Sequence, residues 1–241
     1  AEFQELLLRP FLCSLFFFQR ASVKGKVPML NESAKNSLIQ GAKELGVSLS
    51  EHQFNQLDAY LELLLKWNKV FNLTSIRDPE EGVKKHLLDC LGIIPVLEKM
   101  QRQGLPMRSL MDVGSGGGLP AVVIAVCFPE LKVLSVAKKT TFITQAALEL
   151  GLKNLRAKHS RVENIKEKFD VVTCRAFSSL KDFVSLTESN IGEPGMWLAM
   201  KGHRPEAELQ ELPSFAEVTE VIDLHIPGLG EERSVVLMRH I

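Results

Sequence analysis

The sequence predicts an α/β fold with a mostly parallel, doubly wound sheet that follows a helical segment. From residue 110 onward, short apolar runs alternate with amphipathic segments, as expected of right-handed βαβ units. The first apolar run passes into an acid and then a loop with glycine at alternate positions, over residues 112–118. Glycines let such a loop turn sharply and approach a ligand at the carboxyl end of a parallel strand.

The first 28 residues differ in character from the rest of the chain. Leu6 to Phe18 form a dense apolar run that a basic stretch follows. The run is too short to span a membrane, and acids rather than positive charges precede it, unlike a secretory signal. We interpret residues 1–28 as a tag or an upstream extension, with Met29 as a candidate natural start.

Residues 29–103 have helical periodicity and predict an N-terminal helical cap. Apolar residues recur there at steps of three and four, which places them on one helix face. The clearest series is Leu57, Tyr60, Leu61, Leu64, Leu65 and Asn68.

Residues 104–241 carry the alternation that predicts the sheet domain. The C-terminal part changes pattern, since residues 218–226 and 234–239 flank a Pro-Gly-Leu-Gly turn, which predicts an antiparallel hairpin at the sheet edge. The predicted strands cover residues 110–113, 132–136, 170–174 and 196–200, and the predicted helices cover residues 121–127, 140–150 and 180–191.

The glycine loop has the spacing D-x-G-x-G-x-G, which is typical of enzymes that bind S-adenosylmethionine (SAM). A dinucleotide fingerprint is G-x-G-x-x-G, and Leu119 occupies the position of its third glycine. A tight turn without any ligand is the alternative interpretation.

Composition describes an ordinary globular chain: of 241 residues, 45% are hydrophobic and 24% charged, with a formal net charge of zero. A nucleic-acid partner would therefore have to be held by a local basic patch. The four cysteines lie far apart and the histidines have no metal-ligand spacing, so we expect reduced thiols, a cytoplasmic location, no metal and no membrane anchor. Candidates for the basic patch are Lys84, Lys85, Lys138, Lys139, Arg161 and Arg204.

Several separated segments resemble the RsmG (GidB) family. The family consists of bacterial methyltransferases that modify N7 of a guanine in 16S ribosomal RNA, and the resemblance runs from about residue 30 to the C-terminus. It implies a class I SAM-dependent methyltransferase fold, Rossmann-like, with a seven-stranded sheet and an antiparallel C-terminal hairpin. The matching segments are residues 66–69, 71–74, 77–79, 86–89, 112–120, 160–163, 174–177 and 200–202.

The resemblance also implies a cofactor site for SAM. Gly114 and Leu119 would line it, Val162 and Glu163 would border the adenine, and Arg175 would contact the cofactor. A surface ion pair between Arg161 and Glu163 is the alternative interpretation of that segment. The predicted cofactor residues are Asp112, Gly114, Ser115, Gly116, Gly118, Leu119, Val162, Glu163 and Arg175.

Guanine N7 carries an exposed lone pair, so the implied reaction needs no general base, and no catalytic residue is assigned. Lys201 and Arg233 are candidates to hold phosphate or guanine O6. For His86 and Asp89 the alternative is an interior hydrogen-bonded pair that ties the cap to the core. The substrate-side candidates are His86, Asp89, Arg161, Lys201 and Arg233.

The implied partner is small-subunit ribosomal RNA or an assembling ribosomal subunit, and we expect a monomer. Trp67 is expected to anchor the packing of the cap rather than to stack on a base.

One departure from the family pattern lies after the second strand. An acid normally holds the cofactor ribose there, yet residues 131–148 contain none, and about three residues are missing between Val136 and Ala137. Either the chain has a deletion or the sequence omits a loop, and we favour an omission because a deletion should disturb the strand-to-helix turn. Two other classes stay open: a non-catalytic SAM- or nucleotide-binding regulatory module and an NAD-dependent oxidoreductase.

Overall fold

The computed structural model describes residues 30–241, so the interpretation of residues 1–28 lies outside the described part. No helix within residues 30–241 is long and apolar enough to cross a membrane.

Helices fill the N-terminal part of the described chain, and side-chain caps fix where the first two begin. Asn31 accepts a hydrogen bond from the amide of Ala34, and Ser50 forms a capping box with Gln53. The helices of this part are α1 (Glu32–Glu44), α2 (Glu51–Phe71), α3 (Pro79–Gly82), α4 (Asp89–Leu91) and α5 (Ile94–Arg102).

A π-helical turn, Val83–Leu88, joins α3 to α4. It carries Lys85 and His86, and Asp89 follows it directly. Such turns are rare and occur often at functional sites, because they re-aim neighbouring side chains.

Seven strands form one sheet in the order β3-β2-β1-β4-β5-β7-β6. The pairs from β3 to β5 are parallel, and β7 is antiparallel to both β5 and β6. The strands are β1 (Ser109–Val113), β2 (Lys132–Val136), β3 (Leu155–Lys158), β4 (Phe169–Arg175), β5 (Ile191–Lys201), β6 (Ala216–Leu224) and β7 (Arg233–His240).

The remaining helices connect these strands and cover both faces of the sheet. The order reverses between β1 and β4, which makes the carboxyl ends of these two strands the expected ligand crevice. The helices are α6 (Ala121–Cys127), α7 (Thr140–Glu149), α8 (Leu180–Thr187) and α9 (Glu206–Gln210), with short 3₁₀ turns at Val162–Asn164 and Glu188–Asn190.

Two apolar clusters lie on the two faces of the sheet. The larger one combines side chains of the N-terminal helices, such as Leu57 and Leu61, with those of α6, such as Val122, and of the sheet. The smaller one gathers Phe183 of α8 and Trp197 of β5 on the other face. The N-terminal helices and the sheet therefore share one continuous core.

The predicted parallel sheet, glycine loop and C-terminal hairpin are confirmed, with two differences. The helix predicted over residues 180–191 ends at Thr187, and Ile191 instead begins β5. Strand β3 was not predicted, because its sequence, Leu-Arg-Ala-Lys, is short and has only one fully buried residue. The division into residues 29–103 and 104–241 stays a prediction.

Candidate functional site

The glycine loop after β1 has backbone angles that only glycine adopts easily. Gly114, Gly116 and Gly118 have φ of 79°, 54° and 95°. A Cβ at Gly114 or Gly116 would meet nothing within 4 Å, so both face open space, whereas one at Gly118 would press on Val122 and Ile143. The loop thus leaves an open cradle on one side and packs on α6 and α7 on the other.

Asp112 is fully buried under this loop. Its Oδ2 accepts a hydrogen bond from the amide of Ala121 at 3.0 Å, which fixes the start of α6. Its Oδ1 is buried and has no hydrogen-bond partner. Burial raises the pKa of this carboxyl to about 7, and the Ala121 amide opposes that rise.

Helix α2 supports the loop from the N-terminal part of the chain. The hydroxyl of Tyr60 donates to the carbonyl of Gly117 at 2.8 Å, and a Cβ at Gly117 would lie 3.0 Å from Leu64 Cδ1. Sequence reasoning placed Tyr60 only in the core. Its one available signal was that Tyr60, the only tyrosine of the chain, carries a polar atom into an apolar helix face.

Strand β2 keeps full parallel register up to its last residue, where Val136 pairs with Val113. Ser115 of the loop hydrogen-bonds with Ser135 of β2, so the loop is fastened to this strand. Residues 137–139 then lead directly into α7, and Ala137 donates to the carbonyl of Lys158. The three-residue link therefore spans this turn with the strand pairing intact, and the favoured omission of a loop stays a prediction.

No carboxylate follows β2, since the link consists of Ala137, Lys138 and Lys139. Beyond β3, Val162 is buried in the 3₁₀ turn while Arg161 and Glu163 are exposed. Among the ion pairs of residues 30–241 none joins Arg161 to Glu163, so the surface-pair interpretation is wrong.

Arg175 ends β4 and lies in a charge cluster that crosses from the sheet to the N-terminal helices. Its Nη1 donates to Asp89 Oδ2 at 3.3 Å and to the carbonyl of Lys85 at 3.3 Å. The other oxygen of Asp89 accepts from Arg233 Nε at 2.8 Å. The Asp89 side chain is only 6% exposed, so one buried carboxylate holds two guanidinium groups together.

His86 does not pair with Asp89, so the alternative interpretation of these two residues as an interior hydrogen-bonded pair is wrong. Its Nε2 lies 2.8 Å from Thr74 Oγ1 and its Nδ1 lies 3.1 Å from the carbonyl of Lys85. Burial, helped by the charge of Arg175, lowers the pKa of His86 to about 4, so the imidazole is neutral at pH 7.

Lys201 ends β5 and forms an ion pair with Glu208 of α9 at 2.7 Å. Several members of the predicted basic patch are also paired: Lys85 with Glu81 and Glu231, and Arg204 with Asp223. These side chains are therefore less available to phosphate than the sequence indicated. Lys139 remains at the surface, where its Nζ donates to the carbonyl of Phe71 at 3.2 Å.

Neither metal nor disulfide chemistry is evident in the described part of the chain. No three His, Cys, Asp or Glu residues of that part lie together as a metal site would require. The cysteines there, Cys90, Cys127 and Cys174, are free.

The fold and the site define a class I SAM-dependent methyltransferase: a seven-stranded sheet with one antiparallel inserted strand, and an acid followed by a glycine loop after β1. The family model for rRNA small subunit methyltransferase G (GidB) matches residues 53–237. The chain belongs to this family.

Close relatives agree with this assignment. Ribosomal RNA small subunit methyltransferase G of Paracidovorax citrulli (strain AAC00-1) is 51% identical over 211 residues, which cover 83% of this chain and 87% of the relative. The protein of the same name from Acidovorax sp. (strain JS42) is 47% identical over 218 residues, covering 87% and 96%.

A solved structure confirms the fold. The N-methyltransferase NodS from Bradyrhizobium japonicum WM9, in complex with S-adenosyl-L-homocysteine, superposes with a TM-score of 0.52 at 10% identity. The match covers 72% of this chain and 97% of NodS.

Proposed function

We propose that this protein transfers the methyl group of SAM to N7 of a guanine in 16S ribosomal RNA. The observation that carries the proposal is the open glycine cradle at the carboxyl ends of β1, β2 and β4, in a chain of the rRNA small subunit methyltransferase G family.

Two features of the cradle fit SAM. The free space at Gly114 and Gly116 admits a ligand against the backbone, and the partnerless Oδ1 of Asp112, buried beneath the loop, would accept a hydrogen bond from the cofactor's ammonium group if the loop moves to expose it. SAM supplies a methyl group on a sulfonium centre. If the deletion after Val136 is real, the ribose has no carboxylate there, and losing a charge-assisted bond of about 1.5–3 kcal/mol would weaken SAM binding roughly tenfold to a hundredfold or more.

The proposed cofactor site keeps the predicted set. Ser115 and Gly118 shape the loop, Leu119 and Val162 are buried apolar walls, and Glu163 is an exposed acid beyond β3. The complete set is Asp112, Gly114, Ser115, Gly116, Gly118, Leu119, Val162, Glu163 and Arg175.

The chemistry requires positioning rather than proton transfer. Guanine N7 attacks with its own lone pair, so the site must hold N7 in line with the methyl carbon and tolerate the positive charge that passes to the purine. A neutral His86, hydrogen-bonded to Thr74, adds no positive charge and need not act as a base. The negative charges of Asp89 and Glu208 offset the positive charges of Arg175 and Lys201, which end β4 and β5.

On the substrate side, Arg233 and Lys201 are proposed to contact phosphate or guanine O6, with Asp89 holding Arg233 in place and Lys201 exchanging its ion pair with Glu208 for the RNA. His86 is proposed to maintain the geometry of the π-helical turn through Thr74. Arg161, which is exposed and outside the ion pairs of the described residues, is proposed to contact the RNA backbone.

The proposed partner is small-subunit rRNA within an assembling subunit, methylated by a monomer in the cytoplasm. Because the chain has no net charge, we expect weak binding to naked RNA and a preference for an assembly state. This preference is refuted if a short hairpin is methylated as efficiently as a partly assembled subunit.

The test begins with calorimetric titration of the protein with SAM, using NAD as the comparison ligand. Unmethylated small subunits are then incubated with labelled SAM, and N7-methylguanosine is located by borohydride reduction and aniline cleavage of the RNA strand. We expect SAM binding, no NAD binding and one cleavage site. Methyl transfer to another atom, or none, would contradict the proposal.

The other two classes have less support. An NAD-dependent oxidoreductase requires the dinucleotide loop spacing and an acid after β2 that binds the ribose. Residues 131–148 contain no acid. A non-catalytic module would bind SAM in the titration without labelling the subunits.

A further inference from the structure

Helix α2 ends in an aromatic ring at the surface. Phe71 is 43% exposed and its neighbour Val70 is 69% exposed. The ring of Phe71 packs on the ring of Trp67, with centroids 5.2 Å apart and an interplanar angle of 33°. The rings are thus in contact while much of Phe71 stays open to solvent.

Phe71 is connected to the glycine loop through a series of ring contacts. The ring of Trp67 contacts the ring of Phe142 edge-on, with centroids 5.5 Å apart. The ring centroid of Phe142 lies 6.2 Å from that of Tyr60. Tyr60 donates to the carbonyl of Gly117. A continuous series of side-chain contacts therefore links the outer ring to the cofactor cradle.

Two segments that meet at the end of α2 carry cations and no acids. Lys139 Nζ bonds the carbonyl of Phe71, which joins the end of α2 to the link after β2. Residues 66–77 and 131–148 contain no Asp or Glu. Their cations are Lys66, Lys69, Arg77, Lys138 and Lys139, together with Lys132 at the opposite end of β2.

We propose that Phe71 is a stacking platform for an unpaired RNA base that lies near the target guanine. Proteins that bind single-stranded RNA combine exposed aromatic rings with a positively charged track along the backbone, and both are present here. The acid-free segments would attract the flanking phosphates, while the ring would stack on the base itself. This inference rests on the proposed function.

The test compares three variants at one position. Phe71→Ala removes the ring, Phe71→Leu keeps apolar packing on Trp67 but has no π face, and Phe71→Tyr keeps the ring. The matched control is Leu148→Ala on α7, where the wild-type side chain is 75% exposed. The readouts are binding to an unmodified 16S rRNA transcript and to unmethylated small subunits, together with SAM affinity by calorimetry.

Phe71→Ala and Phe71→Leu are expected to weaken RNA binding about tenfold to a hundredfold, while Phe71→Tyr and Leu148→Ala stay within about threefold of wild type. SAM affinity is expected to stay within about twofold throughout. The inference is overturned if the Phe71→Leu variant binds RNA normally or if its SAM affinity falls together with its RNA affinity. It is also overturned if this variant binds the transcript normally but binds the subunit weakly, because that result would indicate a contact with a ribosomal protein. If wild type binds RNA through Phe71 yet transfers no methyl group, the proposed function fails and the stacking site stands.

Discussion

The carboxyl of Asp112 couples the stability of the protein to pH. Its pKa lies near 7 in the folded chain, whereas an exposed Asp titrates near 3.8. Between these values the folded state holds a proton that the unfolded state has released, so this group's contribution to stability is lost as pH rises from about 4 to about 7. The cause is burial with one oxygen that has no partner.

Asp112→Asn should therefore stabilise the ligand-free protein at pH 8, by on the order of 2–4 kcal/mol, because a neutral amide replaces a buried charge. The advantage should shrink toward pH 5, where the wild-type carboxyl is protonated. Thermal unfolding at the two pH values measures this. Under the proposed role of Asp112 the variant also binds SAM more weakly; equal stability at pH 8 would contradict the burial argument.

Asp89 holds two guanidinium groups, so its removal should be costly. Asp89→Ala leaves the guanidinium of Arg175, whose side chain is 24% exposed, without its buried carboxylate, and we expect the free energy of unfolding to fall by about 3 kcal/mol, the lower end of the cost of breaking a buried pair. The matched control is Asp223→Ala, which breaks an exposed pair with Arg204 and should cost less than about 1 kcal/mol. Urea unfolding measures both, and similar losses for the two variants would show that burial does not distinguish these pairs.

At the scale of elements, α2 acts as a brace for the cofactor loop. Tyr60→Phe removes only the hydroxyl that donates to the Gly117 carbonyl, and it should cost about 1 kcal/mol of stability. It should also weaken SAM binding several-fold, because the loop loses a fixed anchor. Calorimetry with SAM tests this, with Tyr60→Leu as a variant that loses ring packing as well. An unchanged SAM affinity in Tyr60→Phe would mean that the loop holds its shape without α2.

The sequence predicted those elements that have strong periodicity or glycine spacing. The buried apolar runs of β1 and β2 and the loop between β1 and α6 are where the pattern placed them, because burial on both faces leaves a continuous apolar signal. Strand β3 was not predicted because it lies at the edge of the sheet, where apolar residues alternate with polar ones and leave no continuous apolar run. Ile191 was misassigned because a 3₁₀ turn continues the helical pattern for three residues before β5 begins.

The site was predictable where one segment of chain makes it, and not where distant segments meet. The glycine loop follows a strand that the pattern identifies, whereas Arg175, the last residue of β4, was assigned from the family resemblance. The bridge of Asp89 to Arg175 and Arg233 joins positions up to 144 residues apart, so local spacing carries no signal for it. The same holds for the bond between Tyr60 and Gly117, which crosses 57 residues.

At the scale of the whole molecule, zero net charge limits how strongly RNA is held. Six cations lie in the acid-free segments, and if about four of them contact phosphate, log K should fall with log salt with a slope of about −3. Binding of a 16S rRNA transcript across a salt series measures the slope. Lys139→Ala should make the salt slope shallower by the contribution of about one phosphate contact. Lys85→Ala should change the slope less, because the charge of Lys85 is already paired with Glu81. A slope beyond about −7 would contradict a local patch.

The shared core has a consequence for synthesis of the chain. Leu57, Leu61 and Leu64 pack in one cluster with residues of α6, which the ribosome adds about 60 residues later. At about 5–20 residues per second, the nascent helices wait several seconds before their buried partners exist. During that interval their exposed apolar faces are binding sites for a chaperone, so the chain is expected to depend on a ribosome-bound chaperone for its own folding.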